Sequence, residues 1–172
     1  MNWHMVTDSE IIHLSLPQRF FEYAQAYRNA ASVLCLTMTL EDASCTWPNA
    51  TVVMLLAAHA TELFLKGAVL ARNPAAMIEH HHIDDLSVEY RKRFPETSFE
   101  WDIPFKTNWS DMAEDEIEAL KKKVPIPSIL YRYPVAKGGK EWSGAFGFEP
   151  NSFAEVLEQL KHDFERIKAQ IA

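Results

Sequence analysis

The stretch TVVMLLAAHATELFLKGAVLA, residues 51–71, decides the fold. It is apolar almost all the way round a helix, and only His59, Glu62 and Lys66 interrupt it with ionisable groups. A helix that is apolar on every side belongs at the centre of a bundle, whereas ionisable groups in mid-span are costly in lipid. The stretch therefore predicts the central helix of a soluble helical bundle, over about residues 50–72.

The flanking sequence predicts further helices. The same apolar periodicity of three- and four-residue steps recurs in 17–41, 83–94 and 153–171. Asn49 is the expected N-cap of the central helix, and 113–123 should form a short helix with acids first and lysines last. Four prolines and four glycines in 124–151 predict a long irregular loop, with a hairpin at 137–140. The fold class is therefore all-α: one domain over 1–172, an up-and-down bundle of four to five helices.

The composition limits the class of protein. The formal charge of −7 disfavours sequence-independent binding to duplex DNA, which depends on neutralising phosphates. Cys35 and Cys45 lack Cys-x-x-Cys spacing and so support neither zinc nor thioredoxin-like chemistry. The first residues have neither the basic nor the apolar region of a signal peptide. We therefore expect a cytoplasmic protein with no membrane segment.

The histidines raise the question of a metal site, because EHHHIDDL, residues 79–86, follows the central helix closely. His59 and Glu62 lie three residues apart and share a helix face. A histidine of 80–82 would add the third ligand that a catalytic zinc requires. The competing interpretation pairs Glu62 with Lys66, four residues on. Neighbouring residues on a helix point about 100° apart and cannot all converge on one ion, so we expect neither a metal nor a cofactor.

Two segments resemble the HEPN superfamily of helical domains. ELFLKGAVLARN, residues 62–73, is similar to the Glu-x-x-x-Lys helix that these domains often carry. HHIDDL, residues 81–86, is similar to the Gly-His-Asp-Leu-like step that follows it. In this comparison His81 falls at the family's histidine, and Ile83 and Leu86 fall at its two leucines.

A third segment adds to the resemblance. ILYRYP, residues 129–134, resembles the Arg-Tyr-Pro stretch that precedes the last helix in many members, so the likeness covers 17–171 in helix order. The resemblance implies an α-helical bundle, often dimeric, from toxin–antitoxin, defence, stress or RNA-processing systems. Active members are metal-independent ribonucleases with an Arg-x(4–6)-His motif, in which arginine stabilises phosphate charge and histidine moves protons.

This chain lacks that catalytic motif. Lys137, and no histidine, stands at the required distance after Arg132, and the first histidine after Arg72 is eight residues away. We therefore expect a non-catalytic module that binds RNA, a nucleotide or a protein partner. A degenerate ribonuclease is one alternative, and a metal-binding bundle using His59 and Glu62 is another.

The resemblance also indicates which side chains line a binding site: Glu62, Lys66, His81, Arg132 and Lys137. Arg132, between Tyr131 and Tyr133, can bind phosphate or stack on a base; alternatively it holds the long loop on the central helix through Glu62. The resemblance implies a homodimer, with RNA, a nucleotide or a nucleotidyltransferase-type protein as partner. A pure interaction protein would instead expose an apolar patch, for which 142–148 is the candidate.

Overall fold

The computed structural model describes residues 5–76, 79, 81–107, 112–121, 125–142 and 146–171. Over these residues the protein is all-α, as predicted, and they contain no strand. The helices in chain order are α1 (Leu16–Leu40), α2 (Trp47–Arg72), α3 (Ile83–Arg93), α4 (Glu114–Lys121), α5 (Pro127–Leu130) and α6 (Pro150–Ile171). Short 3-10 turns cover Asp8–Glu10, Asp42–Ser44 and Thr97–Phe99.

The first two helices begin at side chains that cap their free amide groups. Ser15 and Gln18 form a reciprocal capping box at the start of α1, which satisfies two amides that the helix leaves unpaired. Thr46 caps α2, and its hydroxyl oxygen accepts from the amide of Asn49 at 3.4 Å. The prediction that Asn49 is the cap is wrong, because Pro48 fits the first turn, where its missing N–H costs nothing.

The central helix is α2, which packs against α1, α3, α5 and α6. It is long and apolar enough by composition to cross a membrane, but 72% of its most apolar window is buried inside the protein. This is the environment of a core helix in a soluble protein. The burial explains why the 51–71 stretch has no polar side.

An aromatic cluster fixes α6 on the α1–α2 pair. Phe64 stacks on Phe164 with ring centroids 4.0 Å apart. Phe21 and Trp101 pack against the same ring, with centroids at 5.2 and 5.8 Å. All four side chains are buried. Buried aromatic side chains dominate core energetics because each removes a large apolar area from water, so this cluster is the centre of the core.

Gly67 lets α1 approach α2 closely. A Cβ at this position would lie 2.9 Å from Phe21 Cε1 and 3.0 Å from Phe20 Cβ. Gly67→Ala should therefore lower the free energy of unfolding by about 1–3 kcal/mol through overpacking, despite the higher helix propensity of alanine. Urea unfolding followed by circular dichroism measures the change. Gly147→Ala is the matched control, since its Cβ meets no described atom within 4 Å; equal effects of the two substitutions would contradict this account.

The segment between α4 and α6 contains the single turn of α5 and then a tight turn. The amide of Ala136 donates to the carbonyl oxygen of Lys140 at 2.7 Å. Gly138 and Gly139 have φ of 82° and 75°, a conformation that glycine adopts without steric cost. The chain therefore turns at 137–140, where the sequence predicted a hairpin. The predicted hairpin is not seen, because the described residues on either side form no paired strands.

Candidate functional site

Glu62 lies at the centre of a polar cluster that is buried at Glu62 and Lys66 and reaches the surface at His81, whose side chain is 60% exposed. The side chain of Glu62 is 4% exposed, and its Oε1 accepts from Lys66 Nζ at 2.9 Å and from His81 Nδ1 at 2.7 Å. His59 Nδ1 lies 3.7 Å from the other carboxylate oxygen. Lys66 is one turn further along α2, and His81 reaches the cluster from the segment before α3. The structure thus brings together three of the five predicted site residues.

The cluster holds Glu62 in its ionised form. Burial raises the pKa of Glu62, but hydrogen bonds from His59, Lys66 and His81 outweigh burial and hold this pKa at about 2. An ionised carboxylate only accepts hydrogen bonds, so the short contact requires a proton on Nδ1 of His81. The ammonium of Lys66 balances the buried negative charge. The arrangement fits a buried, neutralised Glu62–Lys66 pair that an exposed histidine, His81, ties to the start of α3.

The cluster offers a metal ion no complete ligand set. No group of three or more His, Cys, Asp or Glu side chains in the described part of the chain is arranged to hold one. Lys66 already places a cation against Glu62, and the His59 ring packs edge-on against Tyr27, with centroids 4.6 Å apart. His80, one candidate for the third ligand, lies outside the described residues.

Arg132 lies apart from this cluster. It follows α5 and lines a cleft of about 600 Å³ between the first turns of α2 and the loop before α6. The ion-pair partners of Glu62 are His59, Lys66 and His81. The alternative in which Arg132 holds the loop down through Glu62 is therefore wrong. Of the predicted site residues, Arg132 is the one that the structure assigns to this cleft.

Five aromatic residues line the cleft: Trp47, Tyr131, Tyr133, Trp142 and Phe146. Trp47 is 46% exposed and Tyr133 is 52% exposed, so parts of both rings remain open to a ligand. Two charged side chains, Arg132 and Glu141, share the lining. Neither forms an ion pair with any residue that the structure describes. The cleft thus combines open aromatic surface with unengaged charge.

Aromatic packing and a hydrogen bond fix the loop wall of the cleft. Tyr131, at the end of α5, packs against Phe105 at 6.2 Å between centroids, and Phe105 packs against Phe153 of α6 at 6.3 Å. Phe105 has φ of 62°, which a bulky side chain adopts only where its surroundings hold it. Trp142 Nε1 donates to the carbonyl oxygen of Tyr133 at 2.9 Å. The segment just after α5 and the segment around Trp142 are therefore held together in this wall.

The cleft and the polar cluster share one face of α2. Leu55, in the cleft lining, precedes Glu62 by seven residues, which is close to two helical turns and about 10 Å along the axis. Lys137 belongs to neither feature: it is exposed in the tight turn and is absent from the described lining of the cleft. The predicted site residues therefore divide into the Glu62 cluster, a cleft residue and a surface lysine.

Most residues that line the cleft were not predicted from the sequence. Trp47 and Phe146 approach each other with centroids 6.4 Å apart, although Trp47 is the first residue of α2 and Phe146 belongs to the loop before α6. The only sequence signal was the high aromatic content of a proline- and glycine-rich loop, which does not say which helix the loop packs on. The 142–148 patch named for an interaction protein contributes Trp142 and Phe146 to this lining.

In comparisons with known proteins, no family model, no curated protein and no solved structure matches this chain. The HEPN resemblance consequently stays a prediction. The geometry of the cleft and of the Glu62 cluster is therefore the basis for a functional proposal.

Proposed function

We propose that this chain is a non-catalytic binding module with a HEPN-like bundle, and that its aromatic cleft takes a nucleotide. The observation that carries the proposal is Arg132 in one cleft with the open rings of Trp47 and Tyr133. Aromatic faces stack on bases, and a guanidinium without an ion-pair partner binds phosphate. The cleft volume of about 600 Å³ lies within the ~300–1,000 Å³ of small-molecule sites.

The charge of the cleft favours a nucleotide over a long RNA. Arg132 is the only cationic side chain among the described lining residues, and Glu141 lies in the same lining. A long polyanion is bound by neutralising many phosphates, which one arginine cannot do. The formal charge of −7 likewise disfavours binding of a long RNA. One phosphate group beside one stacked base matches the charge that the cleft carries.

Binding without catalysis fits the separation of the polar groups. A ribonuclease of the arginine–histidine type needs both side chains at one phosphate. His81 is engaged by the buried Glu62 carboxylate, whereas Arg132 lines the cleft. The sequence also lacks the spacing of the catalytic motif. The toxin–antitoxin, defence or stress setting and the cytoplasmic location in this proposal rest on the resemblance and the composition.

Adenosine monophosphate should quench the intrinsic tryptophan fluorescence, because Trp47 and Trp142 line the cleft. Arg132→Ala should weaken this binding by about tenfold or more, the loss expected for one charge-assisted hydrogen bond. Arg91→Ala is the matched control, since Arg91 is exposed on α3 and outside the cleft lining. Adenosine, which lacks the phosphate, should bind the wild-type protein and Arg132→Ala equally. The proposal fails if the wild-type protein and Arg132→Ala bind adenosine monophosphate with equal affinity.

A further inference from the structure

Arg28 of α1 is a buried cation without a counter-charge. It is 7% exposed, and it forms no ion pair with any residue that the structure describes. The other buried charged groups are paired: Glu62 meets Lys66 at 2.9 Å. Asp163 meets Arg166 at 2.8 Å. A buried charge keeps its desolvation penalty unless an opposite charge and hydrogen bonds satisfy it, so Arg28 differs from the rest of the buried charges.

The hydrogen bonds of the Arg28 guanidinium go to neutral groups and leave one donor unused. Nη1 donates to the hydroxyl of Ser32 at 3.5 Å, and Nη2 donates to the side-chain oxygen of Asn29. The buried Nε has no acceptor among the described residues. Burial lowers the pKa of Arg28, and the carboxylates of Glu158 and Glu165 raise this pKa by less. The nearby carboxylates therefore do not offset the cost of burying the charge.

Arg28 lines a small cavity between α1 and α6. Phe21 and Gln25 lie on the same side of α1, at steps of four and three residues. Helix α6 supplies the opposite wall at the same helical spacing, from Lys161, Phe164, Glu165 and Lys168. The cavity has a volume of about 20 Å³, enough for one water-sized atom. A ligand can therefore place one atom inside while the rest of it stays at the rim.

The charge of this cavity favours an anion. Its described lining contains three cations and one carboxylate: Arg28, Lys161, Lys168 and Glu165. The two lysines are 38% and 39% exposed, and each also pairs with an exposed carboxylate of its own helix or of α1, at 3.2 and 2.7 Å. Arg28 thus contributes the charge that no ion pair compensates. A cation would be repelled by it, whereas an anion would supply the missing counter-charge.

We propose that this cavity binds a phosphate group, with one phosphate oxygen beside the Arg28 guanidinium and the others at the rim near Lys161 and Lys168. Guanidinium groups bind phosphate through charge-assisted hydrogen bonds. The two rim lysines match a dianion with several oxygens better than they match chloride, which is a single atom. The phosphate site is independent of the proposed nucleotide cleft, because the described linings of the two share no residue.

Thermal unfolding of the full chain in inorganic phosphate tests the site. An ion that binds only the folded protein raises the midpoint of unfolding, and a dissociation constant of about 10 mM corresponds to about 3–6 °C at ~100 mM phosphate. Phosphate also stabilises proteins in general by exclusion from their surface. The readout is therefore the rise of the wild-type protein beyond that of Arg28→Met. Arg91→Met, an exposed control on α3, should keep the full rise.

The same variants in sodium chloride of equal ionic strength separate a binding arginine from a structural one. Arg28→Met removes a buried charge that nothing offsets, so in chloride its midpoint should equal or exceed that of the wild-type protein. A lower midpoint of Arg28→Met in chloride, with the same rise in phosphate as the wild-type protein, would mean that Arg28 serves packing alone and would overturn the proposal.

A second variant keeps the test independent of the core. Replacing both Lys161 and Lys168 by alanine changes only the rim, and should remove about half of the phosphate-dependent rise, while circular dichroism shows that each variant is folded. Glycerol 3-phosphate identifies the source of the phosphate group: a rise equal to that in inorganic phosphate indicates an ester, and a smaller rise indicates the free ion. A rise that Arg132→Ala removes and Arg28→Met retains would place phosphate in the aromatic cleft and overturn the proposal.

Discussion

Lys66→Met should lower the free energy of unfolding at neutral pH by about 3 kcal/mol, because it leaves the buried Glu62 carboxylate without its nearest cation. Lys66 Nζ lies 2.9 Å from Glu62 Oε1, and the two side chains are 8% and 4% exposed. Breaking one member of a buried pair costs far more than the pair itself contributes, since the remaining charge keeps its desolvation penalty. Urea unfolding of the wild-type protein and the variant gives the difference.

Two further variants make this test specific. Lys92→Met removes an exposed lysine of α3 that pairs with Glu89 at 3.4 Å, and a surface pair of this kind is worth about 1 kcal/mol or less. The double variant Glu62→Gln with Lys66→Met should be more stable than the sum of the single effects predicts, because it leaves no unpaired charge. If Lys66→Met and Lys92→Met lower the free energy of unfolding equally, the buried Glu62–Lys66 pair does not contribute the predicted stability.

The same cluster sets an acid dependence of stability. The pKa of Glu62 lies at about 2 in the folded protein against an ordinary value of 4.5. Because the folded-state pKa is lowered, ionisation of Glu62 stabilises the folded state above pH 4.5, and this contribution is lost as the pH falls towards 2. The stability of Glu62→Gln should consequently fall less over that interval than the stability of the wild-type protein. Parallel curves for the two proteins would contradict the assignment.

Phe64→Ala should lower the free energy of unfolding by about 3–5 kcal/mol, the usual cost of removing a fully buried aromatic ring. The substitution removes the ring that stacks on Phe164 at 4.0 Å and that Trp101 meets edge-on at 5.8 Å. The resulting cavity would lie between α2 and α6, where these rings hold the two helices together. Calorimetric unfolding at neutral pH, together with urea titration, measures the loss.

A matched phenylalanine separates core packing from general loss of apolar surface. Phe146→Ala removes a ring that is 44% exposed at the cleft, and its effect on stability should stay below about 1 kcal/mol. Phe64→Leu, which keeps most of the volume, should recover about half of the stability lost in Phe64→Ala. If Phe64→Ala is as stable as Phe146→Ala, Phe64 does not lie at the centre of the core.

Local signals in the sequence predicted the helices well. Most of the 51–71 stretch is buried in α2, as expected for a helix that is apolar on nearly every side. Helix α2 ends before Asn73-Pro74 and α3 ends before Pro95, as predicted, since the residue before a proline disfavours the α conformation. The cap of α2 was misplaced because Thr46 and Asn49 are both good capping residues, and the choice depends on how the preceding chain reaches the helix.

The site was harder to predict because it depends on packing between distant segments. Glu62 and Lys66 are one helical turn apart, so their contact follows from the helix alone. The proximity of His81 to Glu62 was expected from the family resemblance, and the metal hypothesis also brought a histidine of 80–82 to Glu62. No local pattern shows that Tyr131 packs on Phe105, and this contact fixes where the chain after α5 runs. The sequence therefore singled out Arg132 but grouped it with Glu62 and His81, whereas in the structure Arg132 lines the cleft.

We propose above all that the cleft between α2 and the loop before α6 binds a nucleotide. The most direct measurement is the set of indole N–H signals in isotope-labelled protein, which has five tryptophans, during titration with adenosine monophosphate. Single substitutions to phenylalanine assign the signals. The signals of Trp47 and Trp142 should shift while that of buried Trp101 does not, and Arg132→Ala should reduce the shifts at a given nucleotide concentration. Unchanged signals of Trp47 and Trp142, or shifts that Arg132→Ala leaves intact, would contradict the claim.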